Sequence, residues 1–217
     1  MEKLNIHSEH LDLNDKKLYE ISKRIFDFIS SLIALILTSP FFIIVAIAIR
    51  VESRGKIIFG HTRVGKNGVP FKVYKFRSMY ENAAEIFEGF TEEQKKEYYE
   101  NFKLDNDPRI TKVGNFIRKT SLDELPQLIN IIKGDMSVVG PRPIVQKEIE
   151  KYGIHFDKVF SVKGGLTGYW QANGRSCTSY EDRVQMDIYY VDNRSFWFDM
   201  KIIFKTIVSV IKKEGAI

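Results

Sequence analysis

Cysteine is almost missing from this 217-residue chain, and Cys177 is the only one. No intrachain disulfide can form, and a thiolate metal cluster is excluded. A reducing compartment is the natural reading. Histidine is scarce as well: His7, His10, His61 and His155 are too scattered to suggest a ligand set or a catalytic cluster. There is no Walker P-loop, no GxGxxG and no HExxH. Repeats and low-complexity tracts are absent. Neither sign of charge dominates, with 33 Lys and Arg against 28 Asp and Glu, and the formal net charge is +5. That balance suits anionic partners such as nucleotides, lipid phosphates or nucleic acid without choosing among them. The length allows one sizeable core with attachments.

The chain does have a long apolar run. From Ile25 to Ile49 it is broken only by Asp27, Ser30, Ser31, Thr38, Ser39 and Pro40. As a helix it would reach roughly 37 Å at about 1.5 Å per residue, enough for a hydrocarbon core of about 30 Å. A cleavable signal fits poorly, because the run comes after a mostly polar 24-residue arm and leads into Arg50-Val51-Glu52-Ser53-Arg54 instead of small residues. Lys16, Lys17, Lys23 and Arg24 precede it, and Arg50, Arg54, Lys56, Arg63 and Lys66 come after it. Cytoplasmic flanks are usually the basic ones, and here both are. Pro40 cannot donate to Ile36 and its ring crowds that carbonyl, so a kink is expected. Two topologies are compatible with this pattern: a helix that breaks in the membrane and returns to its starting face, or a single span with a tolerated proline.

The rest divides into short elements. Residues 1–20 read as a polar, mobile or surface-lying arm. Residues 56–60 and 71–76 read as strands joined through Gly65-Lys66-Asn67-Gly68, whose Asn-Gly pair favours a hairpin. Residues 81–100 carry seven glutamates with interspersed aromatics, which reads as an acidic, solvent-facing helical insertion, a lid or a spacer. Residues 112–134 read as a helix, a break at Lys119-Thr120-Ser121, and a second helix ended by Gly134. Residues 144–160 read as one more helix, then a glycine-rich loop stretch holding Trp170 and Arg175. The segment 195–207 is apolar on one side with lysines, Trp197 and phenylalanines, which suits either a membrane-interface helix or a core helix.

The chemistry concentrates at Ser121-Leu122-Asp123-Glu124-Leu125-Pro126. Ser121 and Glu124 have capping-box spacing, and Asp123 could itself cap a helix running from Glu124 to Lys133. Pro126 suits the first turn of such a helix. Arg118 and Lys119 lie just upstream, and Arg142 lies downstream in a Pro-Arg-Pro turn. A phosphate-handling site needs cations for the phosphates and a carboxylate for Mg²⁺, and it gains from a helix amino terminus. The pair therefore reads both as a cap and as a phosphate and metal site.

The ordered motifs carry a resemblance. They are Tyr74-Lys75-Phe76-Arg77-Ser78-Met79, Asp107-Pro108-Arg109-Ile110-Thr111 and Ile117 through Leu128, then Lys133 through Pro143 and Gly165 through Arg175. From about Lys23 onward the chain resembles the monotopic phosphoglycosyl transferases, bacterial sugar transferases that act on a polyprenyl phosphate. The resemblance implies an α+β, mainly helical fold. It also implies a polar arm (1–22), a re-entrant membrane helix (23–50) broken at a Ser-Pro pair, and a cytoplasmic catalytic domain (51–217). That domain would have a short β-hairpin, interfacial amphipathic helices and an acidic insertion at about 81–104. The absence of room for further helices before residue 24 suggests the small, minimal form.

The resemblance further implies that Asp123 is the nucleophile toward a UDP-sugar, that UMP leaves, and that undecaprenyl phosphate takes the phosphosugar from the aspartate. Glu124 would bind Mg²⁺, and Lys75, Arg77, Arg118 and Arg142 are candidates to cradle phosphates or nucleotide. Asp135, Arg175 and Asp187 lie in matching motifs as well. The expected partners are a UDP-sugar, undecaprenyl phosphate and the lipid bilayer, with homodimerisation open and no nucleic acid. The expected place is the bacterial inner membrane, with the catalytic domain facing the cytoplasm. A membrane-surface phosphohydrolase and a non-enzymatic basic membrane adaptor are the competing readings.

Overall fold

The structure is a computed structural model that describes residues 2–101, 104, 106–173 and 178–212. It is mainly helical. Contacts divide the chain into two compact units. One holds the described parts of 1–35, 62–73 and 127–215; the other holds 36–61 and 74–126.

Helix α1 (Glu2–Glu52) takes in both the polar arm and the apolar run. The arm is thus helical and continuous with the apolar segment. α1 is the one helix among the described residues that is long and apolar enough to cross a membrane. Its large apolar side chains point outward along the whole run, from Ile25, Phe28, Ile29 and Leu32 to Ile43, Ile44 and Ile47. A helix this apolar that leaves most of its large side chains without protein cover calls for lipid.

α1 runs on through Ser39-Pro40 as one helix, with Pro40 inside it. Local chemistry explains the tolerance. Pro40 deprives the Ile36 carbonyl of its usual N–H donor, and the Ser39 hydroxyl donates to that carbonyl at 2.8 Å. The two halves of α1 belong to different units, with the change falling between Leu35 and Ile36.

In the unit holding residues 36–61 and 74–126, the second half of α1 meets Phe76 and helix α4 (Lys112–Lys119). Val45, Ile49, Phe76 and Ile117 are buried together, with Phe42, Ile57, Val113, Leu122 and Leu125 packed against them. Burying side chains of this size is worth about 2 kcal/mol each. Three amides at the amino terminus of α4 find acceptors. The Glu52 carboxylate accepts from Lys112 N at 2.7 Å and Val113 N at 3.0 Å, and the Thr111 hydroxyl accepts from Gly114 N at 2.8 Å. Residue 114 must be glycine: a Cβ there would lie 2.0 Å from the Ser78 carbonyl oxygen.

Strands β1 (Ile58–Val64) and β2 (Pro70–Phe76) form a two-stranded sheet and extend further than the sequence suggests. Asn67 at φ 56 and Gly68 at φ 76 supply the positive φ angles that favour an Asn-Gly turn.

The acidic insertion folds as helices α2 (Ala83–Glu88) and α3 (Glu92–Asn101). Glu85, Glu88, Glu92, Glu93 and Glu97 face water, while three rings of the insertion gather on one cation. The Arg109 guanidinium lies 5.0 Å from the Phe87 ring centre, 5.2 Å from Phe90 and 4.7 Å from Tyr98. Asp107 binds the same guanidinium at 2.6 Å and 2.9 Å. The insertion is therefore pinned to its unit.

The other unit contains α5 (Gln127–Lys133), β3 (Ser137–Val139), α6 (Ile149–Tyr152), α7 (Phe156–Val159), β4 (Gly165–Thr167), α8 (Tyr169–Asn173), α9 (Tyr180–Asn193) and α10 (Phe196–Ile211). The single helix expected over 144–160 is instead two short helices parted at Gly153, whose φ is 49. β3 and β4 pair in parallel, Ser137 with Gly165 and Val139 with Thr167. One core joins Val64, Ile144, Tyr152, Val159, Phe160 and Val184; another joins Val139, Val162, Tyr190, Val191 and Ile202.

The first half of α1 attaches to this unit by polar groups. Asp199 accepts from Lys23 at 2.7 Å, from Tyr19 at 3.0 Å and from Tyr190 at 2.9 Å. Asp27, the one carboxylate of the apolar run, accepts from Val138 N at 3.0 Å and is buried. Helix α10 keeps Ile202 in the core and leaves Trp197, Phe204 and Ile207 exposed, so it is amphipathic with both a core face and an outward apolar face.

Removing Arg109 leaves Asp107 buried without its partner and three rings without their cation. Arg109→Ala should destabilise the fold by about 3 kcal/mol, lowering the thermal unfolding midpoint by about 6 °C or more. Arg109→Lys should recover only part of this, because an ammonium cannot bridge the carboxylate and lie flat against rings. Unfolding of the purified chain monitored by intrinsic fluorescence checks both; an unchanged midpoint for the alanine variant would reject the pinning role.

Candidate active site

The turn carrying the carboxylate pair is set by helix α4. That helix ends at Lys119, and Ser121 then adopts a left-handed conformation, φ 56 and ψ 16. A left-handed residue just past a helix end stops the helix and reverses the chain. The Ser121 N–H donates to the Arg118 carbonyl at 3.1 Å, which closes the end of α4. Ser121 makes no side-chain cap, so the capping box expected of Ser121 and Glu124 does not form. The same residues serve as the stop of α4, and the next helix starts only at Gln127, after a 3₁₀ turn over Leu122–Glu124. Asp123 and Glu124 therefore sit on a one-turn connector, and the helix expected from Glu124 to Lys133 is shorter.

Leu122 and Leu125 of this connector pack into the core beside Ile117 and Phe76, which fixes its orientation. Asp123 is buried, whereas Glu124 is partly open to solvent. Lys75, from β2, lies between the two carboxylates. Its Nζ is 2.6 Å from Glu124 Oε1 and 3.8 Å from Asp123 Oδ2. Strand alternation explains the aim of Lys75, because its neighbour Phe76 turns into the core while Lys75 turns to the opposite side.

Burial pushes the Asp123 carboxyl above the usual carboxylate range. The Lys75 ammonium opposes that most strongly, Glu124 reinforces it, and Arg118 opposes it. Arg118 is itself held below the ordinary guanidinium range by burial, with Asp123 and Asp107 pulling it back up. Its Nε donates to Ser78 Oγ at 2.8 Å. Lys75, Arg118, Asp123 and Glu124 thus share one electrostatic site.

The other predicted residues stand elsewhere. Arg77 donates to the carbonyls of Ser53 and Arg54 and to Ser53 Oγ, so it clamps the end of α1. Arg142 belongs to the other unit, in the turn after β3, where its charge acts on Asp187. Asp187 is fully buried, receives the Tyr152 hydroxyl at 2.9 Å and is pushed up to about 6 by burial. Asp135 ties back to Asn130 through its own amide. Arg175 lies outside the described residues. Sequence reasoning did not single out Ser78, Glu52 or Ser53. Ser78 lay inside a recognised motif; the other two are polar residues at the end of the apolar run, with nothing local to mark them.

Asp123 and Glu124 offer two carboxylates of unlike exposure, one cation already between them and a second beside them. Among the described residues no group of three or more His, Cys, Asp or Glu is placed to hold a metal.

Residues 18–213 match the family described as bacterial sugar transferase. The chain belongs to the bacterial sugar transferase family. It is 47% identical over 197 residues to the undecaprenyl-phosphate galactose phosphotransferase of Salmonella typhimurium, covering 89% of this chain and 41% of that protein. It is 45% identical over 199 residues to the exopolysaccharide production protein ExoY of Sinorhizobium fredii, covering 90% of this chain and 88% of that one. It is also similar to the UDP-glucose:undecaprenyl-phosphate glucose-1-phosphate transferase of Escherichia coli, at 40% identity over 204 residues, 89% of this chain and 41% of that protein. The chain therefore spans well under half the length of two of these relatives and most of the third.

For this transferase the Lys75 contact makes a direct test. Lys75→Met removes the largest influence holding the Asp123 carboxyl down, so its titration should move upward. Carboxyl-carbon NMR of the detergent-solubilised chain checks this, and a midpoint that stays or falls would mean Lys75 does not act on Asp123.

Proposed function

We propose that this transferase moves a hexose-1-phosphate from a UDP-hexose to undecaprenyl phosphate through a covalent intermediate on Asp123. The observation that carries the reading is Asp123 itself, a buried carboxylate with a raised pKa, fixed on a rigid connector beside Lys75 and Arg118. A partly desolvated carboxylate, once ionised, is a stronger nucleophile than a hydrated one. The names of the relatives support the lipid phosphate and a galactose or glucose donor.

In the first step an Asp123 carboxylate oxygen bonds to the sugar-bearing phosphorus, and the bond from that phosphorus to the bridging oxygen breaks. UMP departs with that electron pair. In the second step an oxygen of undecaprenyl phosphate attacks the same phosphorus, and the bond to Asp123 breaks, returning the carboxylate. The product is undecaprenyl diphosphate sugar. Arg118 and Lys75 supply positive charge where the phosphoryl oxygens gain negative charge. Splitting the displacement in two predicts ping-pong kinetics.

Magnesium fits the site. Lys75, Arg118, Asp123 and Glu124 sum to zero net charge, so the charge of a diphosphate would go uncompensated without an added cation. Mg²⁺ characteristically uses one or two carboxylates together with substrate phosphates, and the accessible Glu124 oxygens suit that role, with Asp123 beside them. When bound, the ion would neutralise the diphosphate. Lys75 would then give up its 2.6 Å contact with Glu124 and turn to phosphate.

For the membrane we infer that α1 bends sharply at Ser39-Pro40 and returns to the face it came from, holding the catalytic units on the cytoplasmic side. Support comes from basic residues on both flanks, from the hydroxyl that serves the Ile36 carbonyl, and from the change of unit within α1. α10 would lie in the interface with Trp197 and Phe204 outward.

Asp123→Asn should lower UMP release from UDP-galactose by about 10³-fold or more and leave the unfolding midpoint near that of the parent. A chelator should silence the parent enzyme in the same assay. Undiminished UMP from the asparagine variant would remove the covalent aspartate, and full activity in chelator would remove the metal. Tags at the two termini should be accessible from the same face of inverted vesicles; opposite faces would make α1 a span.

A further inference from the structure

The foot of α1 borders a small pocket of about 60 Å³. Its charged lining consists of Lys23, Arg24, Lys163 and Arg194 against Glu20 and Asp27. The two carboxylates are already committed, Asp27 to the Val138 amide at 3.0 Å and Glu20 to Arg194 at 3.6 Å. Lys23 is spent on Asp199 at 2.7 Å. Arg24 donates to the Ile131 and Ile132 carbonyls at 2.7 and 2.8 Å and has no carboxylate ion-pair partner among the described residues.

Lys163 is the unusual member. Among the described residues its ammonium has no hydrogen-bond or ion-pair partner, although the residue is half-buried. A methyl group on Gly134 would sit 3.2 Å from Arg24 Nη2 and 3.5 Å from Lys163 Nζ, so the two cationic groups converge on one point. Burial and the charges of Arg24 and Lys66 hold the Lys163 ammonium below its ordinary range, with Asp27 and Glu20 opposing them. An anion seated in the pocket would give both cationic groups a charged partner.

Position says where that anion comes from. The lining residues of α1 occupy the turns just before its outward apolar side chains Ile25, Phe28, Ile29 and Leu32. Phe26 touches Phe196 edge-on at 5.7 Å, and the next residue, Trp197, is three-quarters exposed. Given the membrane placement proposed above, this is the level of lipid headgroups.

We propose that the pocket at Arg24, Lys163 and Arg194 is a binding site for a phosphate group at the membrane surface, taken from the headgroup of an anionic phospholipid or from free phosphate. It lies apart from the Asp123 site in sequence and in unit, and is a place where the lipid environment grips the unit built on α9 and α10.

The test is thermal unfolding of the full chain in a neutral detergent. Phosphatidylglycerol, phosphatidylcholine, inorganic phosphate and sodium chloride are added at matched concentration. Phosphatidylglycerol should raise the midpoint by about 5 °C at saturation, with little effect from phosphatidylcholine or chloride. Lys163→Ala should lose the shift and Lys163→Arg should keep it. A shift from inorganic phosphate equal to that from phosphatidylglycerol assigns the site to the free anion; a shift from phosphatidylglycerol alone assigns it to lipid. No shift with either, or the same shift in Lys163→Ala, overturns the proposal. These readouts are independent of UMP release, so failure here would leave the transfer reaction untouched, and failure there would leave this site standing.

Discussion

The placement of the candidate nucleophile depends on a carboxylate at the far end of α1. Glu52 grips the free amides at the start of α4. Because α4 is only two turns long, its far end is fixed by its near end. That far end carries Arg118, the left-handed Ser121 and then Asp123. Arg77 completes the clamp by holding the carbonyls of Ser53 and Arg54, and Gly114 lets α4 lie directly on the Ser78 backbone. A short chain of contacts thus ties Asp123 to the end of an apolar helix.

The site itself works by unequal exposure. Two adjacent carboxylates in water would be nearly alike, but here Asp123 is buried and Glu124 is partly open. Burial alone would neutralise Asp123, and Lys75 with Arg118 opposes this. The lysine keeps the aspartate within reach of ionisation, and it also contacts Glu124. This division of labour arises from packing as much as from the identities of the charged residues.

Much of this was legible in the sequence, with instructive exceptions. Asp123, Glu124, Lys75 and Arg118 were all singled out, because their residue types and order are distinctive. Arg77 was grouped with them on the same grounds, but its partners Ser53 and Arg54 lie more than twenty residues away, and no local pattern reports them. The Ser121 and Glu124 spacing is degenerate: serine with glutamate three residues later fits a helix start, yet a positive φ at Ser121 makes it a helix stop. The parallel pair β3 and β4 and the five-residue α8 were missed, since segments of three to five residues are too short to show a period. The helix expected over 144–160 divides at Gly153, where a positive φ breaks a pattern that otherwise reads as helical. The acidic insertion read as a solvent-facing lid or spacer because its glutamates dominate the composition, while the three rings that pin it to Arg109 are few and scattered.

Ser39 has a consequence for the biogenesis of such a protein. By lending its hydroxyl to the Ile36 carbonyl, it removes the penalty that a bare carbonyl would impose in hydrocarbon, where each unmet group costs several kcal/mol. A chain leaving the ribosome can then carry a proline in the middle of its most apolar stretch without a partner helix to shield it. The Ser39-Pro40 turn of the helix thus satisfies its own carbonyl, with no need of a neighbouring element.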